Sequence, residues 1–189
     1  MAVLVTGGAG YIGSHCVAAL LERGEDVVVV DNLQQGHRGA VLGGKLMVGD
    51  IRDNVFMEQV FRENDIESVI HFAANSLVGV SMKEPYAYYH NNVYGTLCLL
   101  EQMNKFGVKK MVFSSTAATY GEPERVPIDE YDRTLPTNAY GETKLAMEKM
   151  IRWFDTAHGV KSVSLRYFNA AGAHESGQIG EDHKPESHL

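Results

Sequence analysis

Val3-Leu4-Val5-Thr6-Gly7-Gly8-Ala9-Gly10-Tyr11-Ile12-Gly13 is the stretch that decides the fold. A short apolar run leads directly into four glycines and then into a helical pattern. It contains Gly8-x-Gly10-x-x-Gly13 and, overlapping it, Gly7-x-x-Gly10-x-x-Gly13. Residues without a Cβ let backbone N–H groups approach a pyrophosphate, and the helix N-terminus adds partial positive charge. The last glycine lets helix and sheet pack closely. Between a predicted strand at 2–6 and a predicted helix at 11–23, the motif has the context of a dinucleotide-binding turn. The bland alternative is a glycine-rich turn with no ligand. Asp31 ends the next apolar run, 18 residues after Gly13. A carboxylate there accepts from a ribose diol and repels a 2′-phosphate, which favours NAD over NADP.

Outward from this turn, short β-branched runs alternate with helical stretches. Strands are predicted at 2–6, 26–30, 46–48, 68–72, 110–115 and 162–167. Helices are predicted at 11–23, 53–63, 85–106 (interrupted near Gly95) and 137–158. Continuous apolar strands alternating with helices predict an α/β fold. The expected architecture is a doubly wound parallel sheet covered on both faces, a Rossmann-like unit over residues 1–168. Residues 169–189 show no period and are rich in Gly, His, Glu and Ser. Two readings stay open there: a disordered tail, or the start of a substrate-binding region cut before a second domain.

The 189 residues carry a net charge of −7 without a basic run, so neither nucleic acid nor a membrane is an expected partner. No apolar stretch approaches the roughly 20 residues of a membrane span. The apolar run at 2–5 lacks a basic leader and is too short for a signal peptide. Cys16 and Cys98 both lie in apolar helical patterns and read as small core residues. Together these features predict a cytoplasmic protein. No metal is expected.

The chemistry is expected from Tyr140-Gly141-Glu142-Thr143-Lys144. Residues four apart share a helical face, so Tyr140 and Lys144 point the same way. A tyrosine titrates near 10, and bringing it near 7 takes about 4 kcal/mol of differential stabilisation. A neighbouring ammonium and a nicotinamide cation would act in that direction and make Tyr140 a general base. The fifth strand ends in Ser114-Ser115-Thr116, whose hydroxyls would face the ligand crevice. Thr116 is placed to bond a reacting hydroxyl of a ligand there, while Ser114 and Ser115 serve equally as turn hydroxyls. Asp50-Ile51 follows the third strand where an adenine would lie, although Asp50 reads equally as a turn residue. The small residues of Phe72-Ala73-Ala74 would let a cofactor lie against the backbone, or simply pack tightly.

These residues resemble the extended short-chain dehydrogenase/reductase superfamily and, within it, the UDP-glucose (UDP-galactose) 4-epimerase family. The resemblance runs along the chain: residues 5–15, Asp31-Asn32-Leu33, Gly49-Asp50-Ile51-Arg52, His71-Phe72-Ala73-Ala74, residues 88–93, 115–121, 140–144, Leu165-Arg166-Tyr167-Phe168-Asn169, 172–174 and 179–182. It implies interconversion of UDP-galactose and UDP-glucose, in galactose metabolism, by transient oxidation at sugar C4 with tightly held NAD. Tyr140 would be base and acid, Lys144 its tuner and a ribose ligand, and Thr116 the third hydroxyl. Gly7, Gly10, Tyr11, Ile12, Gly13, Asp31, Asn32, Asp50, Ile51, Phe72, Ala73, Ala74, Asn91 and Tyr167 would join Lys144 in holding the cofactor. Phe168, Asn169, His188 and Leu189, with Thr116 and Tyr140, would meet the UDP-sugar. Three positions depart from the pattern: Asn75-Ser76 where some members carry a Lys, Thr116 where Ser is found, and Ala170 where Pro is common. Nucleotide-sugar 4,6-dehydratases share the cofactor site, but they carry Asp-Glu where Ala117-Ala118 stand here. Epimerases of N-acetylated UDP-hexoses remain an alternative, as does an NAD-binding fragment without turnover. The family also implies a homodimer across residues 91–105 and 142–154, though these apolar faces serve equally as core.

Overall fold

A computed structural model describes residues 1–182. The chain opens with β1 (Ala2–Thr6), α1 (Tyr11–Glu22), β2 (Asp26–Asp31) and β3 (Lys45–Val48). It crosses back through α2 (Asn54–Glu63) to β4 (Ile66–His71). Two short helices, α3 (Val78–Ser81) and α4 (Pro85–Tyr88), lead to α5 (Gly95–Lys105) and β5 (Lys110–Ser114). The long α6 (Ala139–His158) and β6 (Lys161–Leu165) follow. All six strands are parallel, in the order β3-β2-β1-β4-β5-β6. The order reverses between β1 and β4, and ligands bind at such a switch point, beyond the C-terminal ends of the strands. The doubly wound expectation holds.

Strand periodicity sorts the core. Leu4, Val28 and Val30 turn to one face and pack with Met57, Val60, Leu99, Met103, Met147 and Ile151 from α2, α5 and α6. Val5, Val27 and Val29 turn to the other face, where Val17 of α1 covers them. The faces are not covered equally. Among the described residues α1 alone packs on the second face as a helix, and every residue of β6 is exposed. The expectation of a sheet covered on both faces therefore holds for β1 and β2 and fails at β6. That strand reads Lys161-Ser162-Val163-Ser164-Leu165, and its alternation of polar and apolar residues suits a half-covered edge.

Local chemistry sets the ends of the helices. Asp53 is not the first residue of α2 but its cap, accepting from Val55 N at 3.0 Å and Phe56 N at 3.1 Å. Asn138 caps α6 in the same way, accepting from Gly141 N at 2.8 Å. Gly159 ends α6 with φ of 72°, a left-handed cap. The helix expected at 85–106 is broken earlier than Gly95, by one wide π turn over Tyr89–Tyr94. Of the segment after 168, residues 169–182 are described. They form no strand or helix but dock on α1: Tyr11 Oη donates to the Gly172 carbonyl at 2.6 Å, and Ile179 is 4% exposed. Cys98 is buried as expected, whereas Cys16 is only half-buried.

Candidate active site

The strand ends open on one cleft of about 610 Å³. Its floor is the glycine turn. Gly7 has φ of 74°, and a Cβ there would sit 2.5 Å from the Ala73 nitrogen. A Cβ on Gly13 would run into the Gly7 carbonyl oxygen. Gly10 caps α1 without a side-chain hydrogen bond, and the first turn of the helix holds no acid. The N–H groups at the start of α1 therefore lack helical partners and face the cleft, a ready anion site.

Asp31 closes β2 beside this turn and is 7% exposed. Its Oδ2 accepts from Ala9 N at 3.0 Å and its Oδ1 from Leu33 N at 2.8 Å. Each oxygen keeps a second lone pair for a ligand hydroxyl. Leu33 itself sits at φ of 58°, so the chain curls tightly around the carboxylate. Asp50, expected near the adenine, does not line the cleft. Arg52 takes it through Nη2 at 2.5 Å and Nε at 2.8 Å, and Asn32 Nδ2 donates to it at 3.2 Å. The Arg52 hydrogen bonds hold its carboxyl well below the usual range. Asp50 thus orients Asn32, which does line the cleft together with Ile51, Phe72, Ala73, Ala74 and Asn91.

At the opposite end stand the reactive side chains. The i,i+4 spacing brings Lys144 Nζ to 5.9 Å from the Tyr140 ring centroid, as the helical reading requires. Lys144 is 2% exposed, and Nζ donates to the Ser114 carbonyl at 2.7 Å. Burial pushes its ammonium down to about 7, with Glu148 opposing. Burial also pushes the Tyr140 phenol up, while the neighbouring Thr116 hydroxyl pulls it down. The phenolate is therefore not poised by the protein alone. Thr116 Oγ1 accepts from Ala118 N at 3.1 Å, which leaves its own proton to donate into the cleft. Tyr167 Oη donates to Ser114 Oγ at 2.6 Å, and Phe168 and Asn169 continue along the rim.

The structure thus gathers every expected site residue within the described range except Asp50. His188 and Leu189 lie outside the described residues. Sequence reasoning missed Tyr88, whose ring meets Tyr140 edge-on at 6.5 Å, and Glu181, which lines the cleft from the segment after 168. It also missed a buried polar chain behind the site. Thr96 Oγ1 donates to the Asn92 carbonyl at 2.6 Å, so it accepts from His71 Nε2 at 2.8 Å. The other ring nitrogen, Nδ1, then accepts from Thr6 Oγ1 at 2.6 Å. Asn92 Nδ2 donates to Thr143 Oγ1 at 3.0 Å, and Thr143 Oγ1 donates to the Tyr140 carbonyl at 2.7 Å.

A glycine turn under a six-stranded parallel sheet, facing a Tyr–Lys pair across the switch point, defines a dinucleotide-dependent α/β enzyme domain. The chain belongs to the NAD dependent epimerase/dehydratase family, whose sequence model matches residues 3–187. It is 62% identical over 189 residues to the UDP-glucose 4-epimerase of Halalkalibacterium halodurans, spanning 100% of this chain and 57% of that protein. It is 60% identical over 190 residues to the enzyme of the same name from Lacticaseibacillus casei, again spanning 100% and 57%. The structure of the Brucella ovis UDP-glucose 4-epimerase in complex with NAD superposes with a TM-score of 0.97 at 46% identity, over 99% of this chain and 57% of that one. The Bifidobacterium longum enzyme in complex with NAD+ and UDP gives a TM-score of 0.93 at 46% identity, over 96% and 57%. The chain therefore spans less than three fifths of the length of these relatives.

Proposed function

We propose that this chain carries the cofactor-binding and acid–base part of a UDP-hexose 4-epimerase that interconverts UDP-galactose and UDP-glucose. One observation carries the reading. Tyr140, Lys144 and Thr116 open on the same cleft as the glycine turn, and the residues after Thr116 are Ala117 and Ala118. Elimination of water would need an acid and a base there, and methyl groups supply neither. Residues 1–168 form the NAD unit in this reading, and 169–189 begin the substrate side.

The residues present fit NAD. The Gly7 and Gly13 approaches leave no room for a Cβ, and Asp31 has acceptor capacity for a ribose diol. Bound there, NAD would supply a reversible two-electron acceptor for sugar C4. The Tyr140 oxygen accepts the proton of the 4-hydroxyl, with the Thr116 hydroxyl bridging the two. Lys144, with Nζ 5.9 Å from the Tyr140 ring centroid, stabilises the phenolate through charge. Tyr140 then returns the same proton once the sugar has presented its other face. Tyr140→Phe keeps the ring and removes the proton carrier, so turnover should fall by roughly 10²–10⁴-fold while NAD stays bound. The test is conversion of UDP-galactose to UDP-glucose by the purified full chain supplied with NAD. Wild-type turnover that survives Tyr140→Phe would refute the assignment.

The same reading includes a homodimer and a cytoplasmic location. Leu97 of α5, Trp153 of α6 and Tyr94 just before α5 are exposed, which supports the first, and Cys16 and Cys98 are unpaired, which supports the second. Among the described residues no helix is long and apolar enough to cross a membrane.

A further inference from the structure

We propose that Glu148 is a positioning residue of the acid–base pair, clamping the hydroxyl-bearing end of β5 and the approach to Phe168 onto α6 one turn from Lys144. Three contacts carry this. Arg166 meets Glu148 through two parallel bonds, Nε at 2.9 Å and Nη2 at 2.6 Å. The Ser115 hydroxyl donates to Glu148 Oε1. The Glu148 and Arg166 side chains are only 11% and 22% exposed, so the pair is well shielded from water. Arg166 also lies 4.9 Å from the Tyr120 ring centroid, which fixes its plane. Ser115 stands between Ser114, whose carbonyl takes Lys144, and Thr116, whose hydroxyl serves the sugar. One carboxylate thus sets the register between the helix carrying Tyr140 and Lys144 and the loop carrying Thr116.

The carboxylate also acts through charge. Facing Lys144 are Tyr140 and Glu148 from α6, the Ser114 carbonyl and Phe113 ring from β5, and the neutral His71 from β4. Tyr167 reaches Ser114 from the far side. Within that set Glu148 supplies the negative charge that favours the ammonium. Glu148→Gln keeps the shape, removes the charge and leaves Arg166 uncompensated, and both changes act against a charged Lys144.

The experiment follows the Lys144 titration by ¹³Cε-lysine NMR on the full chain, alongside the pH profile of turnover. Glu148→Gln should lower the Lys144 midpoint by about one pH unit and move the alkaline limb of kcat down with it. A merely structural role would move neither. Ser115→Ala, which loosens the clamp without touching the charge, should reduce kcat several-fold with KM and the Lys144 midpoint unchanged. The kcat arms rest on the epimerase reading, whereas the NMR midpoint does not, so failure of one is distinguishable from failure of the other. An unmoved midpoint in Glu148→Gln overturns the electrostatic role, and wild-type kcat in Ser115→Ala overturns the clamp.

Discussion

His71 shows how a single buried side chain ties stability to pH. It is fully buried in β4, hydrogen-bonded at both ring nitrogens, and burial pushes it down to about 3. In the unfolded chain it would titrate near 6.5. Between those values the unfolded state binds a proton that the native state refuses, so stability falls as pH falls. The loss starts below about pH 6.5 and amounts to roughly 2 kcal/mol by pH 5. Urea midpoints at pH 7.5 and 5 should show it. His71→Gln should lower stability at pH 7.5 but remove this histidine's share of the acid loss; equal acid sensitivity in both proteins would contradict the account. Gly13 gives the complementary case for the cofactor. Gly13→Ala puts a methyl against the Gly7 carbonyl, so the turn must open and its N–H groups lose their aim. NAD affinity, measured by fluorescence titration, should fall on the order of 10²-fold with little change in circular dichroism.

At the scale of elements, α6 carries the chemistry and its start is chemically fixed. Asn138 caps the helix two residues before Tyr140, so the cap also sets where the phenol points. Asn138→Ala should cost about 1 kcal/mol in a urea unfolding experiment. Asn138→Asp should restore most of that, because a carboxylate also accepts at a helix N-terminus and suits its dipole. A loss of similar size in both variants would show that the cap is not the cause. The same element separates what was readable in the sequence from what was not. The Tyr140–Lys144 face follows from helical spacing alone, and the glycine turn follows from the strand before it and the helix after it. The Glu148–Arg166 pair was not readable, because 18 residues and a change of element separate its members. The Lys144 bond to Ser114 was not readable either, since a backbone carbonyl accepts it and any residue type would serve. The bonds of Asp50 to Arg52 and Asn32 were not readable for a related reason, since nothing in the sequence says which neighbour a turn carboxylate takes. The π turn at Tyr89–Tyr94 has no compositional mark, and the buried bonds that Asn92 makes there to Asn75 and Thr143 join residues far apart in sequence.

At the scale of the whole molecule the two sheet faces differ, and so do the two sides of the helical layer. α5 buries Leu99, Leu100 and Met103 and presents Leu97 outward, and Tyr94 at the end of the preceding π turn also faces out, 42% exposed each. α6 buries Leu145, Met147 and Ile151 and presents Trp153 at 65% exposure. Both inner stripes are satisfied as core; on the outer side Tyr94 stacks on His90 at 5.4 Å, and Leu97 and Trp153 stay exposed. Large apolar side chains on neighbouring elements of an otherwise acidic molecule suit contact with a second copy. A two-fold interface would place the same surface on both partners, so one substitution acts twice. Trp153→Arg would then confront each protomer with a buried, unpaired charge, which costs several kcal/mol per site. Light scattering on the full chain should show a dimer for the wild type and a monomer for Trp153→Arg, with an unchanged circular dichroism spectrum. Charge reversal far from this stripe, as in Lys45→Glu, should leave the dimer intact. A dimer that persists in Trp153→Arg would remove α6 from the interface, and a wild-type monomer would return Leu97 and Trp153 to ordinary exposed surface.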